Sequence, residues 1–246
     1  MKIGIMQPYF FPYLGYFSLI KNVDLFITLD EVKYIRHGWV DRNRILHPEK
    51  GWQYIKIPVR KHSSEKKIRD VFINNDHDWK KRILGQIQHY KKKSPHYEAV
   101  NELVKDIFND EFESIAELNN KSLRKVCDYL GIQTRINVFS DMELTIAEPK
   151  APGEWALNIC AALPDSFPKQ YWNPVDGRNL FDTVQYSSKK IEIKFFDFSI
   201  RPYPQSRHSF EERLSIIDVM MFNETEEIEN MLNDYRLIPS STVLAQ

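Results

Sequence analysis

The fold is decided by residues 1–31, which read MKIGIMQPYFFPYLGYFSLIKNVDLFITLDE. Lys2 to Met6 is an apolar run of strand length, and two prolines in the loop after it delay any helix until about Tyr13. A helix with an apolar stripe then leads to a second apolar run, Leu25 to Leu29. The segment therefore predicts a βαβ unit of about 30 residues with two parallel strands.

A cluster of polar and aromatic residues follows the second predicted strand. Small ligands of open α/β sheets bind in the crevice beyond the carboxyl ends of the strands, so this position predicts a binding site. Arginine offers a planar fork for bidentate phosphate contact, and interleaved rings suit stacking on a base or sugar. The alternative is a solvated hairpin with Trp39 packed beneath it. The residues that we expect to bind substrate here are Lys33, Tyr34, Arg36, Trp39, Arg42, Asn43 and Arg44.

His37 lies within this cluster and is the best single candidate for a general acid or base, because imidazole titrates near neutral pH. Asp30 or Asp41 would orient its ring by a hydrogen bond. We therefore predict His37, Asp30 and Asp41 as the catalytic group.

The first predicted loop stands where a βα loop would hold phosphates, near the N–H groups that begin a helix. This unit resembles the first βαβ unit of the adenylyl- and cytidylyl-transferase superfamily, in which the helix begins with H-x-G-H. Here the tetrad is Tyr13-Leu-Gly-Tyr16, so both histidines are tyrosines and the resemblance implies the fold more than nucleotidyl transfer. We expect Gln7, Tyr13 and Tyr16 to line the substrate site.

A second polar and aromatic segment, Tyr171 to Gly177, stands at a predicted strand end and contains two turn signals. It would present Asn173 and Asp176 to a ligand, and a plain connecting turn is the alternative. We include Asn173 among the predicted substrate-binding residues.

Composition limits the partners. The net charge is zero, yet residues 1–100 hold 19 Lys and Arg against 10 Asp and Glu. A basic amino-terminal part favours a nucleotide-linked sugar or another phosphate-bearing small molecule, and its modest excess makes nucleic acid an unlikely partner. Cys127 and Cys160 suit buried reduced thiols, and no metal-site spacing or cofactor motif occurs. The sequence has no apolar run of transmembrane length and predicts a cytoplasmic protein, with oligomerisation left open.

The remaining pattern predicts a single α/β domain over residues 1–238, with a Rossmann-like amino-terminal sheet, a helical insert at about 76–131 and a carboxyl-terminal α/β portion. A sub-lobe boundary is expected near 147–153, and a frayed tail over 239–246. Further predicted elements are a strand at Tyr54 to Val59, helices at Tyr97 to Phe108 and Glu111 to Leu130 closed by Gly131, and a helix from a Ser209 and Glu212 capping box through Phe222.

Four motifs together resemble the WbqC-like family over nearly the whole chain. They are Gln7 to Phe17, Arg36 to Trp39 with Arg42 to Ile45, Asn173-Pro174 with Gly177, and Leu214 to Asn223. The resemblance implies a role in surface polysaccharide (O-antigen) biosynthesis, in making or decorating an activated sugar. It implies no catalytic residue.

Three functions are consistent with these observations. The first is an enzyme that transfers an acyl or aminoacyl group to an amino sugar linked to a nucleotide. The second is a nucleotidyltransferase-like enzyme with replaced histidines, and the third is a non-catalytic sugar-nucleotide-binding or partner protein.

Overall fold

The computed structural model describes residues 1–164 and 168–240 and has a mixed α/β architecture. Six strands form one sheet and two form a separate hairpin. The strands are β1 (Lys2–Met6), β2 (Leu25–Thr28), β3 (Arg42–Leu46), β4 (Trp52–Lys56), β5 (Arg135–Val138), β6 (Lys169–Pro174), β7 (Ile191–Phe198) and β8 (Tyr235–Pro239).

The helices pack around this sheet. They are α1 (Leu14–Asn22), α2 (Trp79–Ile87), α3 (Tyr97–Phe108), α4 (Ile115–Tyr129), α5 (Glu154–Ala162), α6 (Thr183–Ser188), α7 (Ile216–Phe222) and α8 (Thr225–Met231). Short 3₁₀ segments occur at Ile68–Asp70, Gln88–Lys92, Phe139–Asp141 and Val175–Leu180.

The predicted βαβ unit is confirmed. β1 and β2 are parallel neighbours, with Ile3 opposite Leu25. Gly4 allows this close packing, since a Cβ there would lie 2.9 Å from the Phe26 ring and 3.5 Å from Leu19 of α1. The first 28 residues therefore fold as their pattern of apolar runs indicates.

The sheet order β5-β2-β1-β6-β7-β8 is that of a Rossmann-like fold. All neighbours are parallel except β7 and β8, which are antiparallel. The chain runs outward from β1 through β2 to β5, and then returns through α5 to β6 on the other side of β1. The strand order thus reverses between β1 and β6, and the crevice at such a reversal is where open α/β sheets bind ligands.

Two apolar cores lie on opposite faces of the sheet. One contains Ile3 and Ile5 of β1 together with Leu157 of α5. The other contains Phe17 of α1 and extends through α2 to α4 and the α7 and α8 pair. Alternate residues of β1 therefore belong to different layers, as expected for a strand buried on both faces.

Helices α2, α3 and α4 occupy the chain between β4 and β5, where the sequence predicts a helical insert. α3 has the predicted bounds, and Gly131 follows α4 with a φ of +69° and an N–H bonded to the carbonyl of Asp128. The division into a domain, an insert and a sub-lobe stays a prediction.

Several strands and loops differ from those predicted from the sequence. The strand expected at Tyr54 to Val59 begins two residues earlier and ends at Lys56. The Ile57 N–H still bonds to the carbonyl of Asp41, but Pro58 has no N–H with which to continue the ladder. The segment from Tyr171, expected as a loop, is largely strand β6, and β8 was not expected. Residue 239 closes β8, and residues 241–246 of the expected tail lie outside the described residues.

The helix expected from Ser209 is also wrong, since α7 begins only at Ile216. Arg213 has a φ of +54°, which interrupts any helix before it. The cap is Ser215, whose hydroxyl accepts the N–H of Ile217 at 3.3 Å. The apolar run from Leu214 therefore starts the helix, and the polar residues before it do not.

Both cysteines are free and buried, as predicted, and burial raises the pKa of each thiol to about 12. Among residues 1–164 and 168–240, no helix combines the length and hydrophobicity needed to span a lipid bilayer.

Candidate functional site

A cavity of about 500 Å³ opens beyond the carboxyl ends of β1, β2 and β6, at the reversal of strand order. Ile5, Leu29 and Tyr171 form its floor. This is the position at which ligand sites of doubly wound sheets occur, and the volume falls within the range of small-molecule pockets. Six of the residues predicted from the sequence to bind substrate line it: Gln7, Tyr13, Trp39, Asn43, Arg44 and Asn173.

One wall is the loop of residues 7–13, between β1 and α1, which is irregular yet held at almost every carbonyl. Asn43 of the hairpin is buried, and its side-chain amide donates to the carbonyls of Phe10 at 3.0 Å and Phe11 at 2.8 Å. Phe11 has a φ of +39°, which is uncommon for a residue with a bulky side chain. Asn43 therefore fixes the path of the loop, and both of its amide hydrogens are used in doing so.

Two further side chains hold the start of this loop. Asn119 of α4 is fully buried and donates to the carbonyls of Pro8 and Val40, both at 2.8 Å. The hydroxyl of Tyr16 donates to the carbonyl of Gln7 at 2.8 Å. Tyr16 thus supports the loop from behind, and it does not line the cavity.

The end of the loop is bound to the start of α7. The Ser215 hydroxyl donates to the carbonyl of Phe11 at 2.8 Å, and the N–H of Ile216 donates to the carbonyl of Pro12 at 2.9 Å. The N–H of Ser215 also bonds to the carbonyl of Arg44 at 2.8 Å. Loop, hairpin and α7 therefore form one rigid frame on this side of the cavity.

The opposite wall combines the end of β6 with the 3₁₀ segment that follows it. Asn173 is buried and donates to the hydroxyl of Tyr171 at 2.7 Å, which leaves its carbonyl oxygen to point toward Gly177. A Cβ on Gly177 would lie 2.6 Å from that oxygen. The wall thus needs a glycine at 177 to keep Asn173 in its present rotamer.

A second close approach joins this wall to α5. Gly153 precedes α5, and a Cβ there would lie 2.0 Å from the carbonyl oxygen of Leu180. Trp155 of α5 and Phe181, which lie close to these two positions in the chain, both line the cavity. The shape of the cavity therefore depends on glycine at position 153, because a side chain there would overlap the backbone at Leu180.

We expect Gly153→Ala to lower the free energy of unfolding by about 2 kcal/mol, because overpacking against backbone has no flexible side chain to relieve it. The φ of −70° at this position suits alanine, so the loss measures the steric overlap alone. Gly85→Ala in α2 is the matched control, since its Cβ would meet nothing within 4 Å, and helix propensity should stabilise it by about 0.5 to 1 kcal/mol. Urea denaturation checks both, and equal stability of the two variants would contradict the expectation.

Charged groups stand at the mouth of the cavity. Arg213 Nη1 lies 3.7 Å from Asp176 Oδ2, and both side chains are largely exposed. Arg44 is half-buried and donates one Nη to the carbonyl of Arg213 at 3.3 Å. The mouth thus carries two guanidinium groups against one carboxylate, which favours an anionic ligand.

The inner wall is rich in hydroxyl donors. Burial raises the pKa of Tyr13 to about 12 and also raises the pKa of Tyr9, so both phenols keep their protons at neutral pH. Neither hydroxyl, nor the side-chain amide of Gln7, is hydrogen-bonded within the described residues. These groups are therefore available to hydroxyl or carbonyl oxygens of a ligand.

The other predicted residues do not line the cavity. His37 is exposed in a turn with a φ of +63°, and its carbonyl accepts a bond from the Arg42 guanidinium. Lys33 pairs with Glu65 at 2.7 Å, and Arg36, also exposed, reaches a carbonyl at 3.5 Å. A role for these side chains in the site stays a prediction.

The two predicted aspartates are buried and engaged elsewhere. Asp30 accepts the N–H and the hydroxyl of Ser140 at 3.1 and 2.6 Å, and burial raises its pKa. Asp41 Oδ2 lies 3.7 Å from Lys56 Nζ. Burial, and then the neighbouring Asp41 carboxylate, raises the pKa of Tyr34, which is itself buried. The structure shows no hydrogen bond from either aspartate to His37.

Sequence reasoning did not find Arg213, Tyr9 or Trp155. Arg213 directly precedes the motif that begins at Leu214, and Trp155 is the second residue after the predicted linker at 147–153. The positions of Arg213 and Trp155 next to segments already recognised in the sequence were the signals that could have identified them. In the described part of the chain, no group of three or more His, Cys, Asp or Glu side chains could hold a metal ion.

Comparison with known proteins gives two matches. The WbqC-like protein family matches residues 7–230 of the chain. The Mycobacterium tuberculosis protein named "Uncharacterized protein Rv1507c" is 31% identical over 234 residues, which cover 94% of this chain and 97% of that protein. No solved structure matches the chain. The loop 7–13, the hairpin and Arg213 all lie within the residues that the family matches.

Proposed function

The chain is a member of the WbqC-like protein family, and we propose that it binds a nucleotide-linked sugar in the cavity between β1 and β6. The proposed reaction is acyl or aminoacyl transfer to an amino sugar during surface polysaccharide (O-antigen) biosynthesis. The observation that carries the proposal is the pairing of an aromatic cavity with a basic mouth at the reversal of strand order.

The chemistry of a nucleotide-linked sugar matches the two parts of the site. A sugar ring has hydroxyls at its edge and C–H groups on its faces, which suit the donors and rings of Tyr9, Tyr13 and Trp155. Its diphosphate is anionic and suits the guanidinium groups of Arg44 and Arg213. A neutral metabolite would offer those two guanidinium groups no negative charge beyond that of the exposed Asp176.

In the proposed transfer, the amine nitrogen of the sugar forms a bond to the carbonyl carbon of an activated acyl donor. The bond from that carbon to the leaving group of the donor breaks, and the amine loses a proton. Asp176 is the one carboxylate among the described residues of the lining, so we propose it as the acceptor of that proton. His37 is the other proposed base.

Binding is tested by thermal unfolding of the pure protein against nucleotides, nucleotide-linked sugars and amino-sugar nucleotides. A ligand at about 100 times its dissociation constant should add roughly 2.7 kcal/mol to the stability of the wild type. Arg213→Gln should weaken binding about 10-fold, which at the same ligand concentration lowers the stabilisation to about 1.4 kcal/mol.

Arg201→Gln is the matched control for this test. Its side chain is exposed to about the same degree as that of Arg213, 62% against 65%, and its guanidinium is likewise paired with one aspartate, Asp234. Arg201 does not line the cavity, so its variant should be stabilised like the wild type. If no nucleotide or nucleotide-linked sugar stabilises the wild type, the proposed function is wrong.

A further inference from the structure

The hairpin of β3 and β4 presents one face outward beside the cavity mouth. Arg42 pairs with Lys56, Arg44 with Tyr54, and Leu46 with Trp52. Because side chains alternate along a strand, Arg42, Arg44, Trp52 and Tyr54 share this outer face, while Asn43 between them points inward to the loop 7–13. Leu46 continues the same row at the end of β3, where it is buried.

Rings and guanidinium groups alternate along the outer face. The Arg44 guanidinium lies 5.5 Å from the centre of the Trp39 ring and 5.1 Å from that of Trp52. The Arg42 guanidinium lies 4.2 Å from the centre of the Tyr54 ring. Trp39 is 39% exposed and Trp52 is 40% exposed, although both are large apolar side chains. The hairpin therefore offers ring faces to solvent and holds its arginines in place by stacking.

The positive charge of this face is not neutralised within the described part of the chain. Arg42 and Arg44 make no ion pair with a carboxylate there, and each donates to a backbone carbonyl, that of His37 and that of Arg213. Lys56 is paired with the buried Asp41 carboxylate at 3.7 Å, so the unpaired charge of the face is that of Arg42 and Arg44. A ligand that combines flat rings with negative charge fits this surface best.

Building on the proposed function, we propose that the outer hairpin face of Trp39, Arg42, Arg44, Trp52 and Tyr54 holds the nucleoside diphosphate half of the substrate. The base stacks on Trp52, the phosphates lie against Arg42 and Arg44 of the face and Arg213 at the mouth, and the sugar enters the cavity. Arg44 and Trp39 belong both to this face and to the cavity lining, so they join the two halves of the site.

The position of the face favours a single nucleotide over a polymer. Trp39 lines the cavity, and Trp52 lies beside Arg44, which also lines it, so an extended strand of nucleic acid or acidic glycan would have to leave the face where the cavity begins. In a nucleotide-linked sugar, the base and the phosphates are followed by the sugar. The base and phosphates would therefore lie on the hairpin face, and the sugar would lie in the cavity.

The test measures binding by calorimetry for the wild type, Trp52→Leu and Phe72→Leu. Phe72 is the control because it is an aromatic residue of similar exposure, 43%, outside the hairpin. The probes are the uridine, thymidine, cytidine, guanosine and adenosine diphosphates, inorganic pyrophosphate, and N-acetylglucosamine 1-phosphate. Circular dichroism confirms that each variant is folded.

We expect at least one nucleoside diphosphate to bind the wild type and Phe72→Leu more tightly than pyrophosphate does. Trp52→Leu should lose about 5- to 160-fold of that affinity, the usual effect of removing one ring that stacks on a base. Its affinity for the sugar phosphate should stay within about twofold of the wild type, because that ligand occupies the cavity alone.

Each other result has a definite meaning. Unchanged nucleoside diphosphate affinity in Trp52→Leu, or equal affinity of the wild type for pyrophosphate, overturns the assignment of the hairpin face and leaves the cavity proposal standing. If the wild type binds the sugar phosphate but no nucleoside diphosphate, the assignment of the hairpin face is also wrong and the cavity proposal stands. If the wild type binds neither class, the proposed function itself is wrong.

Discussion

The Asn43→Asp variant is expected to lose about 3 to 5 kcal/mol of its free energy of unfolding at pH 7, although it changes one NH₂ group to an oxygen. Asn43 is 3% exposed, and its amide nitrogen lies 3.0 and 2.8 Å from the carbonyl oxygens of Phe10 and Phe11. An aspartate would place a carboxylate oxygen against those two acceptors. Chemical denaturation of the variant and the wild type measures the loss.

The loss should shrink as the pH falls. The buried carboxylate of the variant is disfavoured in its charged form, so its pKa in the folded state lies above its unfolded value. The folded state then binds a proton more tightly, and stability recovers as the pH falls through the folded pKa toward the unfolded one. A protonated carboxyl can donate to one of the two carbonyls, so recovery should be partial.

Two controls separate this effect from a general intolerance of substitution. Asn179→Asp introduces the same charge at an exposed position and should cost less than about 0.5 kcal/mol. Asn43→Ala removes both hydrogen bonds without adding charge, and its loss should not vary with pH between 4 and 7. Equal stability of Asn43→Asp and the wild type at pH 7 would contradict the role that we assign to Asn43 in holding the loop 7–13.

The second large effect is on catalysis. If Asp176 accepts the proton of the attacking amine, Asp176→Asn should lower kcat by about 10² to 10⁴ while the affinity for the nucleotide-linked sugar changes only a few-fold. The assay follows acyl transfer to the amino-sugar nucleotide by mass, with affinity measured separately by calorimetry. This split between kcat and affinity is what distinguishes a base from a residue that only binds substrate.

The same assay decides between Asp176 and His37. Asp176 lines the cavity, whereas His37 is exposed in the turn before the hairpin. A loss confined to His37→Ala would make His37 the base and would require the turn to move over the cavity. Asp141→Asn, an exposed carboxylate outside the cavity lining, should keep full activity. Full activity of both the Asp176 and His37 variants would contradict a base at either position.

The first βαβ unit could be predicted because local pattern alone determines it. Four apolar or small residues from Ile3 to Met6, two prolines and an apolar stripe leave few alternatives for the first 28 residues. β8 could not be predicted in the same way, because its residues Tyr235 to Pro239 are partly polar and exposed. An antiparallel edge strand depends on its partner, here β7, more than on its own sequence.

The polar cluster shows why a site is harder to predict than a strand. Arg42, Asn43 and Arg44 are adjacent in sequence, but in β3 they point alternately outward, inward and outward. The side-chain amide of Asn43 therefore donates to the backbone of the loop 7–13, while the two arginines lie at the surface. Arg213 joins them from a distant segment, which no local pattern reveals.

The anchored loop also bears on how such a site can change over generations. Its path is set by Asn43, Asn119 and Ser215, whose side chains bind backbone carbonyls and are indifferent to the side chains that the loop carries. Replacement of Tyr9 or Tyr13 would therefore keep these hydrogen bonds while altering what the cavity accepts. The groups that hold the loop backbone differ from the phenols that the loop presents, so specificity can change without loss of the bonds that anchor the loop.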